Sequence, residues 1–170
     1  MKTLDVGCGT KKQDGAVGID RLELPHIDIV WNLDDLPWPI EDSTFDYVIL
    51  SHVIEHLKKP AAILDEVHRV ARPGAEIKII TPHFSSISSW KDPTHLHHFA
   101  LETFDFFVEP EYGTGAPPKF ELIERTLSFR SGIISAVARV IAFCSIRAYE
   151  RTAAFRYPAR NMFVRFRVIK

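Results

Sequence analysis

With 170 residues, 46% of them apolar and 25% charged, the chain has the length of one domain and the composition of a folded one, which excludes a two-domain architecture and global disorder. Its two cysteines, Cys8 and Cys144, are too few and too far apart for a disulfide framework, and the longest near-apolar stretch, Gly132 to Ile146, is interrupted by Arg139 and falls short of the roughly 20 residues of a spanning helix. The net charge of −1 conceals a polarity: residues 125–170 carry ten basic residues against one acid, Glu150, whereas residues 1–124 carry 11 basic against 21 acidic.

Thr3 to Val6 reads as a short strand running into a glycine turn, Gly7-Cys8-Gly9-Thr10, and Ala16 to Ile19 as a second strand ending at Asp20. Ile27 to Trp31 is a third, followed by Asn32 to Pro39, where two prolines forbid a continuing ladder. Phe45 to Leu50 is a fourth. From His52 to Arg72 the apolar period lengthens to that of a helix, through Val53, Ile54, Leu57, Ile63, Leu64, Val67 and Val70, around a break at Pro60, and Arg72-Pro73-Gly74 stops it. Glu76 to Thr81 is a fifth strand. A Ser/His/Pro-rich loop from Pro82 to His98, a helix from Leu101 to Val108, a Gly/Pro hairpin-like loop and a strand from Lys119 to Phe129 come next. A helix from Ile133 to Arg151 and a last strand from Met162 to Ile169 complete the chain.

Short apolar strands alternating with helices point to an α/β fold, a mostly parallel sheet covered on both faces. The period-2 alternation of Phe163, Arg165 and Arg167 against Val164, Phe166 and Val168 suits an antiparallel edge pair. In such sheets a ligand sits at the carboxyl ends of the strands, where a glycine turn admits close approach, and Gly7 and Gly9 qualify on position. Gly7 to Lys12 lacks the spacing of a phosphate-binding loop. A dinucleotide fingerprint fails too, because Lys12 stands where a third glycine belongs and Asp20 comes too early. An acid ending the second strand is placed to accept hydrogen bonds from both hydroxyls of a ribose, and Asp20 is that acid.

Five stretches then resemble a known family in order and spacing: Leu4-Asp5-Val6-Gly7-Cys8-Gly9, Val17-Gly18-Ile19-Asp20, Asp35 to Pro39 leading to Ser43-Thr44-Phe45-Asp46, Ser51 to Leu57, and Glu66 to Gly74. Over residues 3 to about 82 the chain resembles the class I S-adenosylmethionine-dependent methyltransferases, in particular those with a type 11 methyltransferase domain. The resemblance implies a Rossmann-like seven-stranded sheet in the order 3-2-1-4-5-7-6. It also implies one domain over 1–170, divided into a cofactor-binding half (1–82) and a substrate-side half (83–170). It implies that Asp5, Gly7, Cys8 and Gly9 line the methionine end of S-adenosylmethionine, that Asp20 holds its ribose, that Asn32 and Leu33 border its adenine, and that Ser51 and His52 close the site near the sulfonium. The chain departs from the family where Thr10 to Gly15 leaves room only for a tight loop and where the first strand opens the sequence. The N-terminal helices are therefore expected to be reduced or absent. Asn32 stands where an aspartate is common.

If a helix begins near Ser51, then His52, Glu55 and His56 share one face, and His83, His95, His97 and His98 could reach the same mouth. Three readings stand open for the catalytic candidates His52, Glu55, His56 and His83: general base for the acceptor, ligands of a divalent metal, or structural contacts. Asp92-Pro93-Thr94-His95 marks a turn in a loop suited to cover the site. In the helix from Ile133, the apolar stripe of Ile133, Ile134, Val137, Ala138, Ile141, Ala142 and Ile146 suits packing on the sheet, a homodimer seam or a membrane surface through 133–151. Its arginines come without the aromatic platform that reads single-stranded nucleic acid.

The function expected is methyl transfer from S-adenosylmethionine to a small-molecule or anionic acceptor. The alternative is a non-catalytic domain of the same fold acting as a partner subunit or membrane-associated module. With no signal-like segment before the first strand and no disulfide framework, the expected setting is cytoplasmic.

Overall fold

The computed structural model describes residues 1–109, 117–130 and 133–170. Seven strands, β1 (Thr3–Val6), β2 (Val17–Asp20), β3 (Ile29–Val30), β4 (Phe45–Ser51), β5 (Ala71–Pro82), β6 (Phe120–Leu127) and β7 (Asn161–Val168), form one sheet. Their order is β3-β2-β1-β4-β5-β7-β6, as the resemblance implies. The pairs within β3-β2-β1-β4-β5 are parallel, and β7 runs antiparallel between β5 and β6. The order reverses between β1 and β4, so the crevice of this α/β sheet opens at the carboxyl ends of those strands.

The parallel strands are apolar because both faces are covered. Leu4, Val6, Ile19, Val48, Leu50, Ile77 and Ile79 are fully buried. Helix α1 (Pro60–Val70) lays Ile63, Leu64, Val67 and Val70 on them, each apolar side chain contributing roughly 1.5–3 kcal/mol relative to exposure. Arg69 closes the back of this layer by pairing with Glu66 and Asp42.

Local chemistry moved several boundaries. Pro60 starts α1 at its first helical position and holds Lys59 outside helical geometry. The helical residues before it reduce to a 3-10 turn, Ile54–His56, so His52 and Glu55 do not share an α-helical face. The Arg72-Pro73-Gly74 stop lies inside β5, in a bulge between the Ala71–Phe45 and Glu76–Tyr47 pairs, with Gly74 at φ +77°. Leu101–Phe107 is a 3-10 segment rather than an α-helix, and most of the hairpin-like loop after it lies outside the described residues. The single helix from Ile133 divides into α3 (Ile133–Cys144) and α4 (Ile146–Thr152), because Ser145 is extended and its hydroxyl caps α4 by accepting the Ala148 N–H. A four-residue helix, α2 (Ile87–Trp90), begins the loop after β5.

The α3–α4 pair builds a second, smaller core. Ala138, Tyr149, Ala153, Ala154 and Ala159 are buried there against Phe84, Phe129 and Tyr157. Val140 and Phe143 of α3 face outward, 63% and 93% exposed; the side chains of Ile133 and Ile134 lie outside the described residues. Among the described residues no helix is long and apolar enough to cross a membrane.

Candidate active site

Gly7 and Gly9 take left-handed φ values of +66° and +52°, which lets the chain leave β1 and turn at once. Gly7 donates to the Ile19 carbonyl at 2.8 Å. Asp20, at the end of β2, fixes the turn by accepting the Gly9 N–H on Oδ2 (2.8 Å) and the Leu22 N–H on Oδ1 (3.0 Å). Each carboxylate oxygen retains acceptor capacity for a further hydroxyl. Beside this turn lies a cavity of about 370 Å³ lined by Gly7, Asp20, Asn32, Leu33, His52 and Val53, among others. A Cβ on Gly7 would stand 2.2 Å from Val53 Cγ2, so only glycine fits that wall.

Five of the expected cofactor residues thus meet in one cavity: Gly7, Asp20, Asn32, Leu33 and His52. Asp5, Cys8, Gly9 and Ser51 are not among its lining residues. Asp5 is buried under the loop that replaces the family's helix, and its Oδ2 accepts the Gln13 N–H at 2.8 Å. Burial raises its carboxyl above the usual aspartate range against that hydrogen bond. Cys8 is buried, and burial together with the carboxylates of Asp5 and Asp20 pushes its thiol up to about 11. These two residues shape the wall from behind.

His52 follows β4 with φ +54°, strained for a side chain with a Cβ. It belongs to two cavities. The second, of about 280 Å³, is lined by His52, Glu55, His56, Lys91, Asp92, His95 and Arg160, among others. Glu55 is 1% exposed. Its Oε2 accepts from the Thr81 hydroxyl at 2.9 Å, whereas its buried Oε1 has no hydrogen-bond partner among the described residues and stands 3.4 Å from His52 Nδ1. An unpaired buried carboxylate oxygen costs desolvation that only a proton, cation or donor relieves.

The loop after β5 supplies the rest. His95 donates from Nδ1 to the Ser89 carbonyl at 2.8 Å. His56 donates from Nδ1 to the Thr94 carbonyl at 3.2 Å. Both rings are thereby left with Nε2 as the basic nitrogen. One oxygen of Glu55 and one ring nitrogen from each histidine lie within 4.8 Å of one another, so for the metal reading, one of the three left open, the set that could hold a divalent cation is Glu55, His56 and His95 rather than His52, Glu55 and His56.

His83, by contrast, is no part of the mouth. It is fully buried, with Nδ1 toward Ser85 and Nε2 donating to Glu150 Oε1 at 3.0 Å, and it packs against Phe84 and Tyr149. Its register at the end of β5 turns it toward α4, and its role is to join the two cores. His98 stacks on Trp90 at 3.6 Å and likewise stays outside the cluster.

A third cavity, of about 810 Å³, adjoins the second through Ser88, Lys91 and Arg160, which line both. Its remaining wall includes Phe84, Trp90, Arg130, Phe155 and Tyr157. The sequence marked the Pro82 to His98 loop and the basic region from Arg125 to Lys170 as the acceptor side, without singling out Lys91, Arg130 or Arg160.

Comparison with known proteins agrees with this geometry. The family described as "Methyltransferase domain" matches residues 4–79. A Mycolicibacterium smegmatis protein named "Probable S-adenosylmethionine-dependent methyltransferase" is 33% identical over 117 residues, 62% of this chain and 45% of that one. A Listeria welshimeri demethylmenaquinone methyltransferase is 24% identical over 100 residues, 58% of this chain and 42% of that one. The chain thus spans less than half the length of these two relatives. The crystal structure of an S-adenosylmethionine-dependent methyltransferase from Mesorhizobium loti shares the fold, with a TM-score of 0.63 and 15% identity over 98% of this chain and 90% of that chain. By the matched glycine turn and the strand order, residues 4–79 are similar to the methyltransferase-domain family, and the chain shares the fold of a solved S-adenosylmethionine-dependent methyltransferase.

Proposed function

We propose that this chain methylates a small-molecule acceptor, with the cofactor in the Asp20 cavity and the acceptor's nucleophile in the Glu55 pocket. The observation that carries the reading is that His52 and His56 line both cavities, so the two reactants would meet across them. The residues present fit the cofactor: Asp20 keeps lone pairs for two ribose hydroxyls, Asn32 and Leu33 offer a polar side chain and backbone to a purine, and the Gly7 turn leaves no Cβ in the way.

When bound, S-adenosylmethionine supplies an electrophilic methyl group. The chain's own residues align the acceptor and take its proton. Glu55 Oε1 is the proton acceptor this geometry favours, because Glu55 lines the pocket and its Oε1 is buried and unpaired among the described residues, with Oε2 held by Thr81. His52, 3.4 Å away, is placed to pass that proton outward. Alignment and exclusion of water carry most of the rate in such a displacement.

Calorimetric titration with S-adenosylmethionine and S-adenosylhomocysteine tests the reading. Binding near 1 μM, about −8 kcal/mol, that falls at least tenfold in Asp20→Ala supports it; absence of binding to folded protein refutes it. Repeating the titration with Zn²⁺ and with a chelator separates a base at Glu55 from a ligand: a Zn²⁺-dependent rise in thermal stability, lost in His95→Ala, would assign the carboxylate to a metal.

A further inference from the structure

The ten basic residues of the C-terminal quarter resolve into two groups once their partners are known. Arg125, Arg147, Arg151, Arg165 and Arg167 pair with the acids Asp105, Glu102, Glu76, Glu124 and Glu121. Lys170 is consumed by Ser43 and two backbone carbonyls. Much of the charge polarity is therefore a basic strand pair and helix set against an acidic body. Arg130, Arg139, Arg156 and Arg160 form no ion pair among the described residues, nor does Lys91 of the preceding loop; Arg139 and Arg156 donate to the Arg130 carbonyl and the Tyr157 hydroxyl, whereas Arg130 and Arg160 line a cavity with Lys91. These three cations, from three separate segments, line the 810 Å³ cavity, and among the described residues no acid lines it with them.

The same cavity is walled by apolar surface left in water. Trp90 is 58% exposed and Phe155 79%, and Phe84 stacks edge-on to Phe155 at 5.3 Å. Monomeric domains seldom leave large aromatic side chains facing solvent around unpaired cations without a ligand to cover them. Cations beside exposed rings select a molecule with an anionic head and a flat or apolar body.

We infer that the acceptor is such an amphipathic anion, a carboxylate or phosphate ester with a flat aromatic body, held in the outer cavity by Lys91, Arg130 and Arg160 against Trp90 and Phe155. Lys91 and Arg160 also line the Glu55 pocket, so an acceptor anchored there extends its nucleophile toward Glu55 Oε1. The assignment of this ligand as the acceptor rests on the methyl-transfer reading above; the binding site itself does not.

The test uses the whole chain and a matched pair of probes, 1-naphthyl phosphate and 1-naphthol, followed by tryptophan fluorescence and calorimetry. The phosphate is expected to bind at least tenfold more tightly than the alcohol, to weaken with added salt, and to lose that advantage in Arg130→Gln/Arg160→Gln, whose side chains support no part of the core. S-adenosylmethionine affinity is expected to be unchanged in that variant. Equal binding of both probes, full binding of the phosphate by the double variant, or inorganic phosphate competing as strongly as the ester overturns the inference. So does capture of phosphatidylglycerol vesicles with no binding of the soluble ester, which would make this face a membrane surface. Ester binding as described, in a protein that binds no S-adenosylmethionine, would leave the anion site standing and remove the methyl-transfer reading.

Discussion

Replacing Gly7 and Gly9 separately with alanine isolates what the glycine turn contributes to the site. Both residues sit at left-handed φ, +66° and +52°, so each alanine incurs a conformational penalty of roughly 1–2 kcal/mol. Their surroundings differ. A Cβ at Gly9 meets nothing within 4 Å, whereas at Gly7 it falls 2.2 Å from Val53 Cγ2 and 2.7 Å from Val53 Cβ. Restoring ordinary contact requires Val53 or the turn to retreat by more than 1 Å, an overpacking cost of about 1–3 kcal/mol. Gly7→Ala should therefore melt below Gly9→Ala by about 2–12 °C, taking about 2–4 °C per kcal/mol for a domain of this size. Because Gly7 and Val53 both line the cavity proposed for the cofactor, the displacement also lands where that proposal puts S-adenosylmethionine, whose affinity should then fall at least tenfold in Gly7→Ala alone. Calorimetry and thermal melts on both variants read the two effects. Equal melting temperatures with equal affinities would refute the claim that Gly7 is required for space as well as for φ.

Two further outcomes follow from buried titratable groups. Burial works to raise the Glu150 carboxyl, but hydrogen bonds from His83 Nε2 and Leu101 N outweigh it and hold the group below the usual glutamate range. A depressed carboxyl stabilises the fold above its unfolded-state value and loses that contribution as pH falls through its folded-state value. Wild-type protein should thus lose melting temperature faster than Glu150→Gln between pH 5 and about pH 3; parallel curves would contradict the assignment. The Cys8 thiol, pushed up to about 11 and buried, should resist iodoacetamide at pH 7.5 while exposed Cys144 reacts, giving a single adduct by mass spectrometry from folded protein; two adducts at similar rates would contradict it.

The parallel half of the sheet was legible because its central strands are short apolar runs that end at residues with their own chemistry: Gly7, Asp20 and Ser51 fall level at the carboxyl edge, with Asn32 two residues beyond Val30, the partner of Asp20. The histidine cluster was not. Reading His52, Glu55 and His56 as one helical face assumed α-helix before Pro60, but proline displaces the helix start and leaves a 3-10 turn. His95 joined the cluster only through the Ser89 carbonyl, a contact within a loop whose path no periodicity encodes. His83 resembled its neighbours in sequence, yet its partner Glu150 lies 67 residues away. The spare cations were hidden for the same reason, since which arginines remain unpaired depends on acids distant in the chain, as with Arg125–Asp105 and Arg165–Glu76.

The backbone carbonyl of Glu55 accepts the N–H groups of both Leu96 and His97, at 2.8 and 3.2 Å. The covering loop is therefore moored to a residue that itself lines the pocket. Swinging that loop away would break two main-chain hydrogen bonds, whereas the way past Lys91 and Arg160, which line both the Glu55 pocket and the outer cavity, requires no such break.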